Sequence, residues 1–151
     1  MKIVNLKDCP EHIETLAQWH QQQWQYLNPG QSLADRIAKM QKYLNDDFVP
    51  STFVALGNEP LGSAAIVEHD MDDRPELSPW LASVYVAPSY RRQGIGAKLV
   101  RHVLDQAASH GLRDLFLYTP DQVKFYERLG WHCLEQTPYH GHDMTIMVYK
   151  L

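Results

Sequence analysis

The residues with the clearest capacity for chemistry lie in one stretch, Val84-Tyr85-Val86-Ala87-Pro88-Ser89-Tyr90-Arg91-Arg92-Gln93-Gly94-Ile95-Gly96-Ala97. An apolar run ends, a proline turns the chain, and two glycines flank the start of an amphipathic segment. The first N–H groups of a helix have no acceptor inside it, and its dipole places positive charge there. Such a corner suits a phosphate. Gly94 and Gly96 carry no side chain to hold the anion away, and Arg91 and Arg92 add charge at the rim. The same residues also suit an ordinary strand-to-helix turn with surface arginines. The stretch is not a P-loop, since no Gly-Lys-Ser/Thr follows, and it lacks the three spaced glycines of a dinucleotide fingerprint.

Other reactive side chains form weaker patterns. His140-Gly141-His142 with Asp143 would offer two metal ligands if the histidines alternate on a strand, but no third ligand shows suitable spacing, so no metal site is expected. Cys9 and Cys133 form no CxxC pair and read as free thiols. Glu68, Asp70, Glu76, His140 and His142 all fall near expected loops and read as solvated surface residues. Trp19, Trp24 and Tyr26 read as the core and rim of a helix rather than a substrate cage.

These groups need a scaffold. Residues 2–6 read as a strand, and Pro10–Leu27 as a helix with its stripe at Ile13, Leu16, Ala17, Trp24 and Leu27. Asn28-Pro29-Gly30 breaks that helix, and Ser32 can cap a second one carrying Ile37, Met40, Tyr43 and Leu44. Residues 51–56 and 61–68 form a hairpin about Gly57-Asn58-Glu59-Pro60. A strand over 80–86, a helix over 95–110 ended by Gly111, and a short strand over 115–118 follow, and these three can form a parallel crossover. A helix over 122–129 and strands over 131–136 and 145–149 complete the order β-αα-βββ-α-β-α-ββ, a mixed α/β fold.

A chain of 151 residues, 44% hydrophobic, fits one domain spanning 1–151 with a buried core. A formal charge of −4 gives no field for holding DNA or RNA, so a nucleic-acid partner is not expected. The N-terminus turns polar after residue 6 and no apolar run reaches membrane-spanning length, so the chain reads as soluble and cytoplasmic, with no membrane partner.

Arg91-x-x-Gly94-x-Gly96, after an apolar strand and Pro88, resembles the Arg/Gln-x-x-Gly-x-Gly/Ala motif of the GNAT acetyltransferase superfamily. Phe125-Tyr126-Glu127-Arg128-Leu129-Gly130-Trp131 resembles the second hallmark of that family, in the correct order and with the correct elements between. The short Thr119-Pro120-Asp121-Gln122 loop ahead of it resembles a bacterial branch. The resemblance implies an enzyme that moves an acetyl group from acetyl-CoA to a primary amine of a small molecule or a peptide N-terminus. It implies that Arg91, Arg92, Gln93, Gly94, Ile95, Gly96 and Ala97 hold the pyrophosphate, chiefly through backbone amides, and that Val84, Tyr85 and Val86 pair with the pantetheine arm where two strands splay apart. One N–H of that strand would face the thioester carbonyl. Tyr126 maps onto the general acid that protonates the departing thiolate.

The family's usual strand glutamate is missing, since residues 80–83 read Trp-Leu-Ala-Ser. The resemblance therefore assigns no base, and Glu68, Asp70, Glu76, His140, His142 or a water chain remain open. Asp121 either takes the place of a pantetheine-contacting asparagine or caps the short helix, and capping is the expectation. Tyr26, Asn28 and Tyr139 would wall the acceptor site. A longer acyl-CoA donor and a non-catalytic coenzyme A sensor are the competing readings, and a homodimer is compatible with all of them.

Overall fold

Continuous apolar runs form strands in this chain, and segments with apolar residues three and four apart form helices. The computed structural model describes residues 1–151. The elements are β1 (Lys2–Asn5), α1 (Ile13–Trp24), α2 (Leu33–Gln41), β2 (Ser51–Leu56), β3 (Pro60–Val67), β4 (Trp80–Val86), α3 (Ile95–Ser109), β5 (Asp114–Thr119), α4 (Val123–Arg128), β6 (His132–Tyr139) and β7 (His142–Lys150). This is the mixed α/β order expected from the sequence.

The differences lie at element ends. Pro10–His12 forms a separate 3-10 turn ahead of α1. The helix itself stops at Trp24, so Leu27 is buried from a turn. Tyr43 and Leu44 lie beyond the end of α2. Ser32 does cap α2, its Oγ accepting from the Asp35 N–H at 3.0 Å while the Asp35 carboxylate accepts from the Ser32 N–H at 3.0 Å.

One sheet of seven strands runs in the order β1-β2-β3-β4-β5-β7-β6. β4 and β5 are parallel, with α3 as the crossover between them. β6 extends to Tyr139, further than its sequence pattern suggests. It is an edge strand and is mostly exposed, so no alternation marks it, and an edge position tolerates Pro138.

Alternate strand residues face opposite layers. Phe53, Ala55, Ile66, Leu81, Leu115 and Leu117 pack with Leu99, Val103 and Ala107 of α3. Val54, on the other face, packs with Leu16 and Ala17 of α1 and Met40 of α2. Trp80, Tyr139, Met144 and Ile146 form a further cluster with Leu27 and Met71. The site lies where this layered arrangement is interrupted.

Candidate active site

The interruption begins in β4. Ala82 is registered with Ala65 and Tyr85 with Ser63, so three steps along β4 match two along β3. That extra residue is a bulge, and Ser83 occupies it with φ 53. The bulge changes which side chains share a face. Leu81 packs toward α3, and after it Val84 and Val86 do so, not Ser83 and Tyr85. Tyr85 turns to the opposite face and stacks on Trp19 with centroids 5.3 Å apart. Gly62 permits the close approach of the bulged strand, because a Cβ there would lie 2.6 Å from the Tyr85 carbonyl oxygen.

β4 and β5 share only the pair Trp80↔Phe116. Beyond it the strands part, as the splay expectation required, and the β5-facing edge of residues 83–86 is left open. A cleft of about 1050 Å³ fills the gap. Its walls include Val84, Tyr85, Val86, Gly94, Ile95, Gly96, Ala97 and Tyr126, together with Arg91, Arg92 and Asp121 at the rim.

Gln93 is the one residue of the glycine turn whose side chain stays outside the cleft lining. The backbone of the turn is what distinguishes it. Arg92 has φ 65 and Gly94 φ 80, and Gly94 is the N-cap of α3 without any side-chain cap bond. The first amide of this region with an intrachain acceptor is that of Lys98, which donates to the Gly94 carbonyl at 3.1 Å. The amides of Arg92, Gln93, Gly94, Ile95, Gly96 and Ala97 therefore have no acceptor within the chain. Six neighbouring donors stand at the positive end of a 15-residue helix, an arrangement with the chemistry to receive an anion. Arg91 is committed elsewhere, its Nε donating to the Val86 carbonyl at 2.8 Å and its guanidinium lying 5.4 Å from the Tyr85 ring centre. Arg92, by contrast, makes no side-chain hydrogen bond or ion pair within the chain and carries its charge at the rim.

Tyr126, on α4, is 8% exposed and packs edge-on against Phe125 and Trp131 at centroid separations of 5.0 and 6.0 Å. Burial, reinforced by the charge of Asp121, raises its pKa well above that of a free phenol, so the group stays protonated. Asp121 does not cap α4, contrary to expectation. No side chain caps α4; Thr119 Oγ1 closes the turn ahead of it, accepting from the Gln122 N–H at 3.0 Å and the Asp121 N–H at 3.4 Å, and Asp121 is left exposed at the cleft rim.

Tyr26, Asn28 and Tyr139 also line the cleft. Tyr26 meets His142 edge-on at 4.8 Å, and Tyr139 lies 5.4 Å from Tyr118 and 3.9 Å from His140. His140 sits in the β6–β7 turn with φ 49, not on a strand, and its ring nitrogens engage the Leu27 carbonyl at 2.7 Å and Asp72 at 3.3 Å.

Among the open choices for a base, Glu68, Glu76 and His142 are exposed and lie outside the cleft lining. Asp70 is half-buried in the wall. Burial pushes its pKa up to about 6, against the opposing pull of Lys39 and then Arg36. Arg36, Lys39 and Tyr118 also line the cleft, and the sequence did not single them out. The first two lie three apart on α2.

This geometry matches known proteins. The model of the acetyltransferase (GNAT) family matches residues 13–131. The chain belongs to that family. N-alpha-acetyltransferase 30 of Schizosaccharomyces pombe is 31% identical to this GNAT chain over 94 residues, which cover 60% of the chain and 63% of the relative. The chain thus spans less than two thirds of the relative it matches there. Among solved structures, ribosomal-protein-alanine N-acetyltransferase from Brucella melitensis superposes with TM-score 0.78 at 17% identity, covering 100% of both chains. An aminoglycoside 6'-N-acetyltransferase complexed with coenzyme A gives TM-score 0.75 at 19% identity, over 99% of this chain and 97% of that one. These two share the GNAT fold with the present chain. No helix is long and apolar enough to cross a membrane.

Proposed function

We propose that this GNAT chain, acting as one domain over residues 1–151, transfers the acetyl group of acetyl-CoA to a primary amine on a small molecule or a peptide N-terminus, by direct attack with both substrates bound. The observation that carries this reading is the row of acceptor-free amides at residues 92–97, set at the mouth of a cleft whose wall is the open edge of β4. Those donors and Arg92 suit a diphosphate, and the open backbone of Val84, Tyr85 and Val86 suits the amides of a pantetheine arm, as in strand addition. Bound acetyl-CoA would supply an activated acyl carbonyl.

The chain's own groups would do the rest. An amide N–H at the bulge acts as an oxyanion donor, a contribution of about 3 kcal/mol. Asp70, ionised at neutral pH with a pKa of about 6, is suited to take the proton from the incoming ammonium. Tyr126, held neutral by burial, returns a proton to the departing thiolate. Tyr26, Asn28 and Tyr139 wall the acceptor.

Free-thiol release from acetyl-CoA across polyamines, aminoglycosides, amino acids and peptide N-termini tests the reaction class, and no release with any amine would refute it. Tyr126→Phe should lower kcat about 100-fold while changing the Kd for coenzyme A less than about threefold. A kcat equal to that of the unaltered chain between pH 6 and 9 would remove Tyr126 from the proton path.

A further inference from the structure

Behind the Ser83 bulge lies a closed ring of hydrogen bonds that neither the cofactor cradle nor the acceptor wall explains. His20 Nε2 and Ser63 Oγ are 2.8 Å apart, and Ser63 Oγ donates to the Ser83 carbonyl at 2.9 Å. Arg36 Nη2 lies 2.9 Å from His20 Nδ1 and 2.8 Å from Ser83 Oγ. The proton positions follow from donor counts. Arg36 can only donate, and the single hydroxyl proton of Ser63 is used on Ser83. Ser63 must then accept from His20 Nε2–H, which leaves Nδ1 with a lone pair for Arg36. His20 is thereby neutral, in agreement with burial and Arg36 pushing its pKa well below that of a free imidazole.

The ring draws on α1, α2, β3 and β4, and it closes on Ser83 at both its carbonyl and its hydroxyl. Ser83 carries the positive φ of the bulge, a conformation that persists in a non-glycine residue only where the surroundings impose it. Apolar side chains at the buried positions would avoid desolvating an imidazole and a guanidinium. The polar ring, in which every member is paired and only Arg36 Nε is buried without a partner, instead specifies one backbone arrangement. His20 is 2% exposed and Ser63 0%, and neither lines the cleft, so any influence they have on turnover passes through their partners, the bulge and Arg36.

We propose that His20, Ser63 and Arg36 are positioning residues that lock the Ser83 bulge and so aim the amide of Val84 into the cleft. The inference rests on the acetyl-transfer reading for its consequence in catalysis, though not for its consequence in backbone order.

The test uses Ser63→Ala, His20→Phe and the double variant, each read in two ways. Without cofactor, hydrogen exchange of the amides at 83–85 should quicken at least tenfold in all three, with exchange in α3 and β7 unchanged. With acetyl-CoA and a working amine, kcat should fall about 10- to 100-fold while the Kd for coenzyme A stays within about threefold. The double variant should lose little beyond either single one, because each already opens the ring. His20→Gln, which keeps a donor near the Nε2 position, should recover most of the rate. Should Ser63→Ala fail to fold, Ser83→Gly removes the hydroxyl anchor at a position whose φ favours glycine, and it should show the same two effects in smaller measure. Unchanged exchange at 83–85 together with unchanged kcat would overturn the proposal. A unit that releases no thiol with any amine would refute the acetyl-transfer reading alone, because hydrogen exchange still decides the ring.

Discussion

Gly96→Val should weaken coenzyme A binding at least about 100-fold, measured by calorimetry, with the melting temperature shifted by no more than a few degrees. The Cβ introduced at 96 would meet only Phe125 Cζ at 3.5 Å and Val86 Cγ2 at 3.6 Å, ordinary contacts that the fold accommodates. The two γ-methyls of valine, which the alanine that the motif also accepts here lacks, would however crowd the amide row. Hydrogen bonds to a charged group contribute about 1.5–3 kcal/mol each, so obstructing two of them removes more than a factor of about 100. Gly94 makes a less clean probe. Its φ of 80 means that any side chain there strains the backbone, so lost binding and lost stability would be confounded. Retained affinity in a folded Gly96→Val protein would disprove the diphosphate assignment.

Asp70→Asn should separate activity from stability in opposite directions. In the unaltered chain, kcat/KM should rise with pH through about 6 as Asp70 loses its proton. In the variant that limb should vanish and the rate at pH 7.5 should fall about 100-fold. The stability change has the other sign. Asp70 titrates near 6 when folded and near 3.8 when unfolded, so the folded state binds the proton more tightly. Ionisation therefore costs stability, and the cost accrues as pH rises from about 4 to about 6 and then stays constant. Discounted because the carboxylate reaches the cleft, the variant's gain at pH 7.5 is about 1–2 kcal/mol, and it should close as pH falls toward 4. Denaturant melts at pH 4 and 7.5 check this. An active variant, or one destabilised at pH 7.5, would exclude Asp70 as the base.

The pattern of what the sequence made legible follows from physics. The glycine turn was readable because an acceptor-free helix start needs small residues and positive φ, and Gly94 supplies both. Ser32 was readable because a capping box is local. The bulge was not, since its extra residue is an ordinary serine and its signature is a shift in register with Gly62 and Ser63 of another strand. Asp70 was named among several carboxylates but not separated from them, because Asp70-Met71-Asp72-Asp73 has the composition of a solvated loop. Only folding shows that Met71 is 1% exposed and draws its neighbour into the cleft wall. The end of β6 was missed because an exposed edge strand carries no alternation, and Asp121 was misassigned because α4 starts without a side-chain cap, the turn before it being closed by Thr119.

Amide hydrogen exchange at residues 92–97, with and without saturating coenzyme A, probes the cradle at the atoms that define it. Strong protection of these amides on adding the ligand is the expected result, with little change in β1 and β2. Binding that leaves them exchanging at the ligand-free rate would mean that the diphosphate lies elsewhere, and the reading of this corner would be wrong.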